Sequence, residues 1–514
     1  MFKHDVEHSS RGSQNQILWP QHEVLGAKTE KIPGARAMLV SVSKDVDLTT
    51  TTKVSPRVLR WCLNLLRPSL FTKQPAKKDL VPTAYLDGIR GLAAFLVYWQ
   101  HHQGWARLGG PANEILENGY GFEDRYYFAA MPVFRLLFTG GHFAVPVFFV
   151  LSGYVLSLKP VSLIHAGNFL KLGDTLASAL FRRWIRLHLP VVGTTFLYMT
   201  TFHLFGMWTA YPDHQATFMD ELLTWYKDFW KFSFVFRPHK VPWPVYNVHL
   251  WSIAVEFKGS IVVYTALLAF SRFTRNTRLQ VTAGLIFYFL YIVDGWYCAM
   301  FLSGMMICEL DQLARVNNLP DIFVALVRHK TRIFYALFVA SIYLGGVPSY
   351  GVGIEKLKTT PGWYYLSFLK PEAGKDTKWF YQFWAASCLV ASTRHLPWLK
   401  RFFEMRFNQY LGRISFGLYL FHGPVLWLLG DRLYAAVGWQ RDDRNEGLTG
   451  WVNIHPISKA GPLGLEPAFL LPQLILLPIT LWMAEIAMKL FDEPSVKFAQ
   501  WVYRQGVGQS TVKI

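Results

Sequence analysis

Charged residues are scarce in this chain. Only 17% of its 514 residues are Asp, Glu, Lys or Arg, whereas a soluble globular protein usually carries about 25%. Hydrophobic residues make up 52% of the chain and aromatic residues 16%. The shortage of charge argues against an ordinary soluble protein of several domains and indicates an integral membrane protein.

Acidic residues are scarcer than basic ones. There are 34 Asp and Glu against 52 Lys and Arg, a formal net charge of +18. The basic residues are scattered between apolar segments and form no long basic block, so nucleic acid is not an expected partner. Basic loops that orient membrane helices explain the excess better.

Cysteines are few and isolated. The four cysteines are Cys62, Cys298, Cys308 and Cys388, without a CxxC pair or any metal-ligand spacing. We therefore expect no disulfide and no metal site. The N-terminal residues lack an apolar stretch after their first charges, so we also expect no cleaved signal peptide.

Apolar runs of about 20 residues, long enough to cross a bilayer, recur along the chain. We expect membrane spans at 85–102, 141–158, 188–208, 248–270, 279–294, 296–312, 333–349, 379–393, 410–430 and 468–490. The sequence thus predicts an all-α integral membrane protein, a polytopic bundle of about ten transmembrane helices. Its expected location is the plasma membrane or an endomembrane, and nothing in the sequence indicates its oligomeric state.

The predicted spans divide the chain into three parts. Residues 1–80 form a cytoplasmic tail, largely disordered, with a basic amphipathic helix at 58–71 that either lies on the membrane surface or packs partly on the protein. Residues 81–495 form the transmembrane domain, and 496–514 a short cytoplasmic tail. The loops after the even-numbered spans are the more basic, which predicts that both termini face the cytoplasm.

The first predicted span, "YLDGIRGLAAFLVYWQHH", holds two polar side chains that cost free energy to place in a bilayer. Arg90 and His101 are eleven residues apart, which is about three helical turns, so both lie on one face about 16 Å apart along the axis. Charged residues within spans usually face the bundle interior or a water-filled path. The simpler alternative is that Arg90 reaches back to lipid head groups and His101 only marks the interface.

A cluster of arginines opens the third predicted span, in "FRRWIRLHLP" (181–190). Arg183 and Arg186 are three residues apart and share a helix face, with Arg182 beside them, an arrangement suited to holding phosphates. The alternative is an ordinary positively charged flank on the cytoplasmic side.

Three other predicted spans carry polar residues. Glu256 lies about seven residues inside the fourth span, where a carboxylate is a candidate functional group. Tyr419 and His422 share a face of the ninth span with Ser415. Ser152 lies in the second span beside Gly153, where close helix packing is the simpler explanation.

These arginine, histidine, glutamate and tyrosine residues suit two kinds of chemistry. In acyl transfer, cations hold the phosphates of a donor, a histidine takes the proton of an acceptor hydroxyl, and a polar group orients that base or supports the oxyanion. A proton-coupled transporter uses similar residues.

Five motifs in order resemble the membrane-bound acyltransferase 3 family. They are "LDGIRGLAAFLVYWQH", "FFVLSGYVLS", "RWIR" followed by Pro190, "LWSIAVEF" and "ISFGLYLFHGPV", and the resemblance covers about residues 83–490. It implies an O-acyltransferase that uses acetyl-CoA or another acyl-CoA as co-substrate, reached from the cytoplasm, and no permanently bound cofactor. The length and loop pattern are similar to the fungal members, which act on small metabolites.

The resemblance also implies roles for the residues. His101 would be the general base, with His102 as a possible substitute, and Arg90 and Glu256 would complete the catalytic set. Arg182, Arg183 and Arg186 would bind CoA phosphates. The supporting residues would be Ser152, Tyr419 and His422.

Several alternatives stay open. The acceptor is either a hydroxylated small metabolite or a cell-wall or lipid-linked glycan, and the chain is otherwise a transporter. A membrane acyltransferase of the Asn/His type is disfavoured, because Asn247 and His249 are close together at a span's edge. The HxxxxD motif of other acyltransferases does not occur, since "HQATFMD" (214–220) is one residue too long.

Overall fold

The computed structural model describes residues 60, 63–69, 80–107, 118–236, 243–349, 353–439 and 447–507. The chain divides into two units, Met1–Arg60 and Trp61–Ile514, and the fold described below is that of the second. Residues 1–56 of the tail expected at 1–80 lie outside the described residues. Apart from one isolated bridge between Phe122 and Arg125, the described residues form helices and turns with no strand, as the sequence predicts.

Seventeen α-helices make up the described fold. They are α1 Ala84–Arg107, α2 Leu136–His165, α3 Phe169–Leu204, α4 Phe218–Ser233, α5 Trp251–Ala269, α6 Arg275–Phe287, α7 Trp296–Arg315, α8 Asp321–Leu326, α9 Lys330–Gly345, α10 Ile354–Thr359, α11 Tyr364–Ser367, α12 Thr377–Thr393, α13 Pro397–Phe403, α14 Arg406–Val425, α15 Asp431–Ala436, α16 Pro467–Ala487 and α17 Glu493–Val507.

Short irregular helical segments join some of these helices. A 3₁₀ segment, Val245–Leu250, leads into α5. Turns of π-helix follow α6, α14 and α16, at Tyr288–Ile292, Leu426–Gly430 and Met488–Asp492. Such turns redirect side chains and are frequent at functional sites.

All ten predicted spans coincide with helices, but the count of ten membrane spans is not established. Three helical stretches of the described chain are long and apolar enough to cross a membrane, namely Gly140–His165, Val245–Ala269 and Pro467–Val507. The other predicted spans are helical but shorter or less apolar. Runs such as 279–294 and 379–393 were already short in the sequence.

Helix α3 differs most from its predicted span. The expected span ran from 188 to 208, whereas the helix begins at Phe169, where the Asn168 side chain accepts a hydrogen bond from the Lys171 backbone, and ends at Leu204. Pro190 lies inside it, and the Thr194 hydroxyl donates to the Pro190 carbonyl at 2.8 Å. The arginine cluster therefore lies within a continuous helix and does not open one.

Two helices occupy segments expected to be loop or tail. Helix α4 begins where the Thr217 side chain accepts a hydrogen bond from the Asp220 backbone, at the start of an amphipathic stretch. Helix α17 continues to Val507, inside the tail expected at 496–514. Both have strongly amphipathic sequences, which a search for apolar runs does not detect.

The basic helix expected at 58–71 is described only in part. Residues 63–66 form one helical turn, and the Leu66 carbonyl accepts a hydrogen bond from the Trp482 indole at 2.7 Å. The Ser69 backbone donates to the Glu485 carboxylate at 2.8 Å. This part of the segment is thus attached to α16, as the packed alternative requires.

Glycines allow the closest helix contacts. A Cβ on Gly412 of α14 would overlap the Asp87 carbonyl of α1, and one on Gly91 of α1 would overlap the Gly412 backbone. A Cβ on Gly153 of α2 would likewise overlap the Phe301 carbonyl of α7. This agrees with the close helix packing expected around Ser152. Small residues at such crossings let backbones approach closely.

Candidate active site

On helix α1, Arg90 and His101 both contact the neighbouring helix α14. The Arg90 guanidinium donates to the Ser415 hydroxyl and to the Gly412 carbonyl, both at 3.0 Å. Eleven residues further on, a ring nitrogen of His101 lies 2.8 Å from one of His422. The two side chains therefore share the face of α1 that packs on α14, as the helical arithmetic predicts.

Arg90 belongs to a cavity that we call the arginine cavity. Its volume is about 170 Å³. Six of the nine candidate residues line it, on five helices: Arg90, Ser152, Arg183, Arg186, Glu256 and Tyr419. Arg413 and Asp492 complete its charged lining. Four arginines thus face two carboxylates, an excess of positive charge that favours an anion.

Within this cavity the arginines differ in how firmly they are held. Arg183 forms an ion pair with Glu256 and donates to the Ser260 hydroxyl at 2.9 Å, and the Ser152 hydroxyl also donates to Glu256. Arg90 is paired with Asp87 at 2.9 Å. Arg186 has no such bond among the described residues, so its guanidinium is the one left to meet a ligand.

Arg182 is not part of the arginine cavity. Its guanidinium donates to the Ser178 carbonyl of its own helix at 3.0 Å, and it lines a separate groove with Lys159, Lys171 and Arg504. The reason is helical geometry, since neighbouring residues point about 100° apart around a helix. The expected grouping of three arginines is therefore reduced to Arg183 and Arg186.

His101 belongs to a second group, the histidine cluster, formed with His249 and His422. The ring centroids of His101 and His249 are 3.9 Å apart, and those of His249 and His422 are 4.7 Å apart. His249 lies on the 3₁₀ segment before α5, which Asn247 holds to α14 by donating to the Leu420 carbonyl at 3.0 Å. Sequence reasoning had set His249 aside.

Hydrogen bonds in this cluster determine where the protons lie. A carbonyl only accepts, so the Nδ1 of His422, 3.2 Å from the Leu418 carbonyl, carries a hydrogen. In neutral His422 the Nε2 is then an acceptor, and the Nδ1 of His101 must donate to it. Neutral His101 is left with an unprotonated Nε2, the lone pair that a general base needs.

His102 lies elsewhere. Its side chain is fully buried, its Nδ1 is 2.7 Å from the Tyr434 hydroxyl, and its ring packs on Tyr98 at 4.2 Å. His102 is therefore a packing residue outside the histidine cluster. His101, eleven residues after Arg90, is the histidine that belongs to the cluster.

Tyr419 connects the two groups. It lines the arginine cavity, its hydroxyl lies 2.8 Å from that of Ser252, and it donates to the His249 carbonyl. Its ring is 5.8 Å from that of His422, one turn along α14. Glu256, in contrast, contacts Arg183 and Ser152, so it holds an arginine and does not orient a histidine.

The histidine cluster is also the place where potential metal ligands converge. One ring nitrogen from each of His101, His249 and His422 lies within 4.8 Å of the others. The expectation of no metal site rests on the isolated cysteines. The three histidines are 148 and 173 positions apart along the chain and form no spacing motif.

Three charged or polar residues of the site escaped sequence reasoning. His249 was visible in "YNVHLW" but stands at the start of a span. Arg413 and Asp492 stand near the ends of predicted spans, where a charge is normally explained by the water boundary. Only the tertiary fold brings them to the site.

Comparison with known proteins identifies the family of the chain. Residues 83–480 match a family model described as an acyltransferase domain. O-acetyltransferase PaAT-1 of Phomopsis amygdali is 29% identical over 86% of this chain and 89% of its own length. Acyltransferase clz18 of Cochliobolus lunatus is 24% identical over 84% and 97%, and acyltransferase R4 of a Phoma species 22% over 70% and 86%. No solved structure matches the chain.

Proposed function

The chain belongs to the acyltransferase family whose domain it matches over residues 83–480, and from that premise we propose that it transfers an acetyl group from acetyl-CoA to a hydroxyl group of a small metabolite. The observation that carries this proposal is the arrangement along α1. One helix joins a cavity with four arginines to a histidine with a free lone pair, about 16 Å further on.

The donor end is the arginine cavity. Arg186 and Arg90 bind the phosphates of acetyl-CoA, and Arg183, held by Glu256 and Ser260, gives the cavity a fixed cation. A guanidinium suits this task because its planar donors match phosphate oxygens. The extended arm of CoA then runs along α1 towards the histidine cluster.

The chemical step takes place at His101. Its Nε2 takes the proton of the acceptor hydroxyl as the hydroxyl oxygen attacks the thioester carbonyl carbon. The tetrahedral intermediate expels CoA as a thiolate, which receives the proton from His101, so the products are an ester and free CoA. His422 positions the base through its hydrogen bond to His101 Nδ1.

We propose that this chemistry lies within a multi-pass membrane protein in which the ten helical segments cross the bilayer and both termini face the cytoplasm. Large apolar side chains exposed on the outer helix surfaces support this; Leu474 of α16, for example, is 72% exposed. The relatives come from fungi, which favours a fungal metabolite over a glycan as acceptor.

The test is transfer of radiolabelled acetyl from acetyl-CoA by the purified full-length chain in lipid nanodiscs, with extracts of the source organism as the acceptor. We expect a labelled ester, and His101→Ala to lower kcat about 10²–10⁴-fold, the usual contribution of positioned proton transfer.

The matched control is His102→Gln, which changes the adjacent histidine and should leave kcat within a few-fold of wild type. Near wild-type turnover in His101→Ala would remove the base assignment. Absence of any labelled ester from the wild-type chain would favour a transporter.

A further inference from the structure

A second cavity lies at the end of α1 away from Arg90. It has a volume of about 360 Å³ and is lined by Trp105 and by the loop 208–214, chiefly Trp208, Thr209, Tyr211 and Asp213. We call it the aromatic vestibule. Pockets for small molecules usually measure about 300–1,000 Å³, so its size suits a small compound.

The vestibule and the arginine cavity lie at opposite ends of the same helices. On α1, Trp105 follows His101 by four residues, about 6 Å along the axis on the same face, and follows Arg90 by about 22 Å. On α3, Arg186 is eighteen residues before the helix ends at Leu204, about 27 Å from it. His101 therefore lies between the two cavities and nearer to the vestibule.

Trp427 connects the vestibule to the histidine cluster. Its ring centroid is 5.3 Å from that of His249, 5.9 Å from that of Tyr211 and 6.3 Å from that of Trp105. It is fully buried, and its indole N–H has no hydrogen-bond partner among the described residues; the same is true of the Nε2 of His249. Trp427 does not itself line the vestibule, so it links the vestibule to the histidine cluster through these ring contacts.

The lining of the vestibule indicates which kind of compound it binds. The faces of tryptophan and tyrosine rings pack against the apolar C–H faces of a saturated ring, and the Asp213 carboxylate accepts hydrogen bonds from hydroxyl groups. Among the described residues no arginine or lysine lines the vestibule, and the guanidinium of Arg432 bonds to the backbone carbonyls of Leu428 and Trp208. This disfavours the anionic donor there. The lining favours a neutral, hydroxylated ring.

We propose that the aromatic vestibule binds the acceptor, and that the acceptor is a neutral saturated ring compound bearing at least one hydroxyl group. This rests on the proposed function, in which His101 acts on that hydroxyl. The donor then enters from the arginine cavity and the acceptor from the vestibule, and they meet at the histidine cluster. A sugar ring and a non-sugar alicyclic alcohol share this chemistry.

Binding is measured by saturation-transfer NMR with the full chain in phosphocholine nanodiscs, without acetyl-CoA. The probes are methyl β-D-glucopyranoside, trans-1,2-cyclohexanediol and the open-chain 1,4-butanediol. The variants are Trp208→Ala and the exposed Asp213→Asn, which should not disturb folding. The matched control is Trp501→Ala on α17, a tryptophan 57% exposed and outside the vestibule.

We expect at least one ring probe to bind the wild type and Trp501→Ala alike, and to bind both vestibule variants at least about fivefold more weakly, the scale of one lost aromatic or polar contact. A preference for the glucoside or the cyclohexanediol tells the two sources apart.

Three results would overturn the proposal: no ring probe bound by the wild type, equal binding by the vestibule variants, or equal binding of 1,4-butanediol. Because no transfer is required, failure of the proposed function would appear separately, as lack of labelled ester with ring binding intact.

Discussion

In the proposed mechanism, His422 decides which nitrogen of His101 is available as the base. Its Nδ1 bonds to the Leu418 carbonyl and its Nε2 accepts from His101 Nδ1, so the proton on His101 is held on the nitrogen that faces α14. Without His422, the other tautomer and other ring orientations of His101 become accessible. The fraction of molecules in which His101 presents an unprotonated Nε2 then falls.

We therefore expect His422→Ala to lower kcat about 10–100-fold, less than loss of His101, while KM for acetyl-CoA stays near its wild-type value. His422→Gln should recover part of the activity, because its amide oxygen can accept the same hydrogen bond. Steady-state kinetics of the two purified variants give the comparison.

Equal loss in both variants would contradict a positioning role. If the three histidines instead held a metal ion, both variants would fail alike and a chelator would inhibit the wild type.

The candidate residues that the sequence identified best are those within one helix. Arg90 and His101 follow from helical period alone, and their contacts with Ser415 and His422 agree with it. The partner of Glu256 and the presence of His249 depend on how separate helices meet. Periodicity within one segment carries no information on which segments become neighbours, so it could not predict either contact.

At the scale of helices, the contact between α1 and α14 positions residues of both the arginine cavity and the histidine cluster. Because Gly91 and Gly412 let the two backbones approach, Arg90 reaches Ser415 and His101 reaches His422 in one crossing. The sequence shows such glycines but does not show which backbone each one contacts. The bounds of helices α3 and α4 were also not predicted, because they follow from capping and amphipathicity and not from the length of an apolar run.

We expect Gly412→Ala to push α1 and α14 apart, because the added Cβ would overlap the Asp87 carbonyl. Overpacking of this kind costs about 1–3 kcal/mol, so the thermal unfolding temperature and the transfer activity should both fall. Thermal unfolding in detergent, followed by circular dichroism, measures the first effect.

The control is Gly173→Ala on α3, where a Cβ meets nothing within 4 Å. It should be neutral or slightly stabilising, since alanine favours a helix over glycine by about 0.5–1 kcal/mol. If both variants unfolded at the same temperature, the crossing would not depend on the absence of a side chain at Gly412.

At the scale of the whole molecule, the linings of the two cavities differ in charge. Four arginines and two carboxylates line the arginine cavity, whereas the vestibule offers rings, a threonine, a histidine and one carboxylate. Under the two proposals above, an anionic donor and a neutral acceptor enter separately, so we expect the affinities for the two substrates to change independently.

Arg186→Gln is the sharpest test of this separation, because Arg186 lines the arginine cavity without a bond to another described residue. A hydrogen bond to a charged group contributes about 1.5–3 kcal/mol, so KM for acetyl-CoA should rise about 10–100-fold, with KM for the acceptor unchanged. Arg182→Gln removes the same charge four positions away, in the separate groove, and should change KM for acetyl-CoA by no more than about twofold. Similar rises for the two variants would mean that the donor responds to overall positive charge, and a rise in the acceptor KM would mean that the two entrances are one.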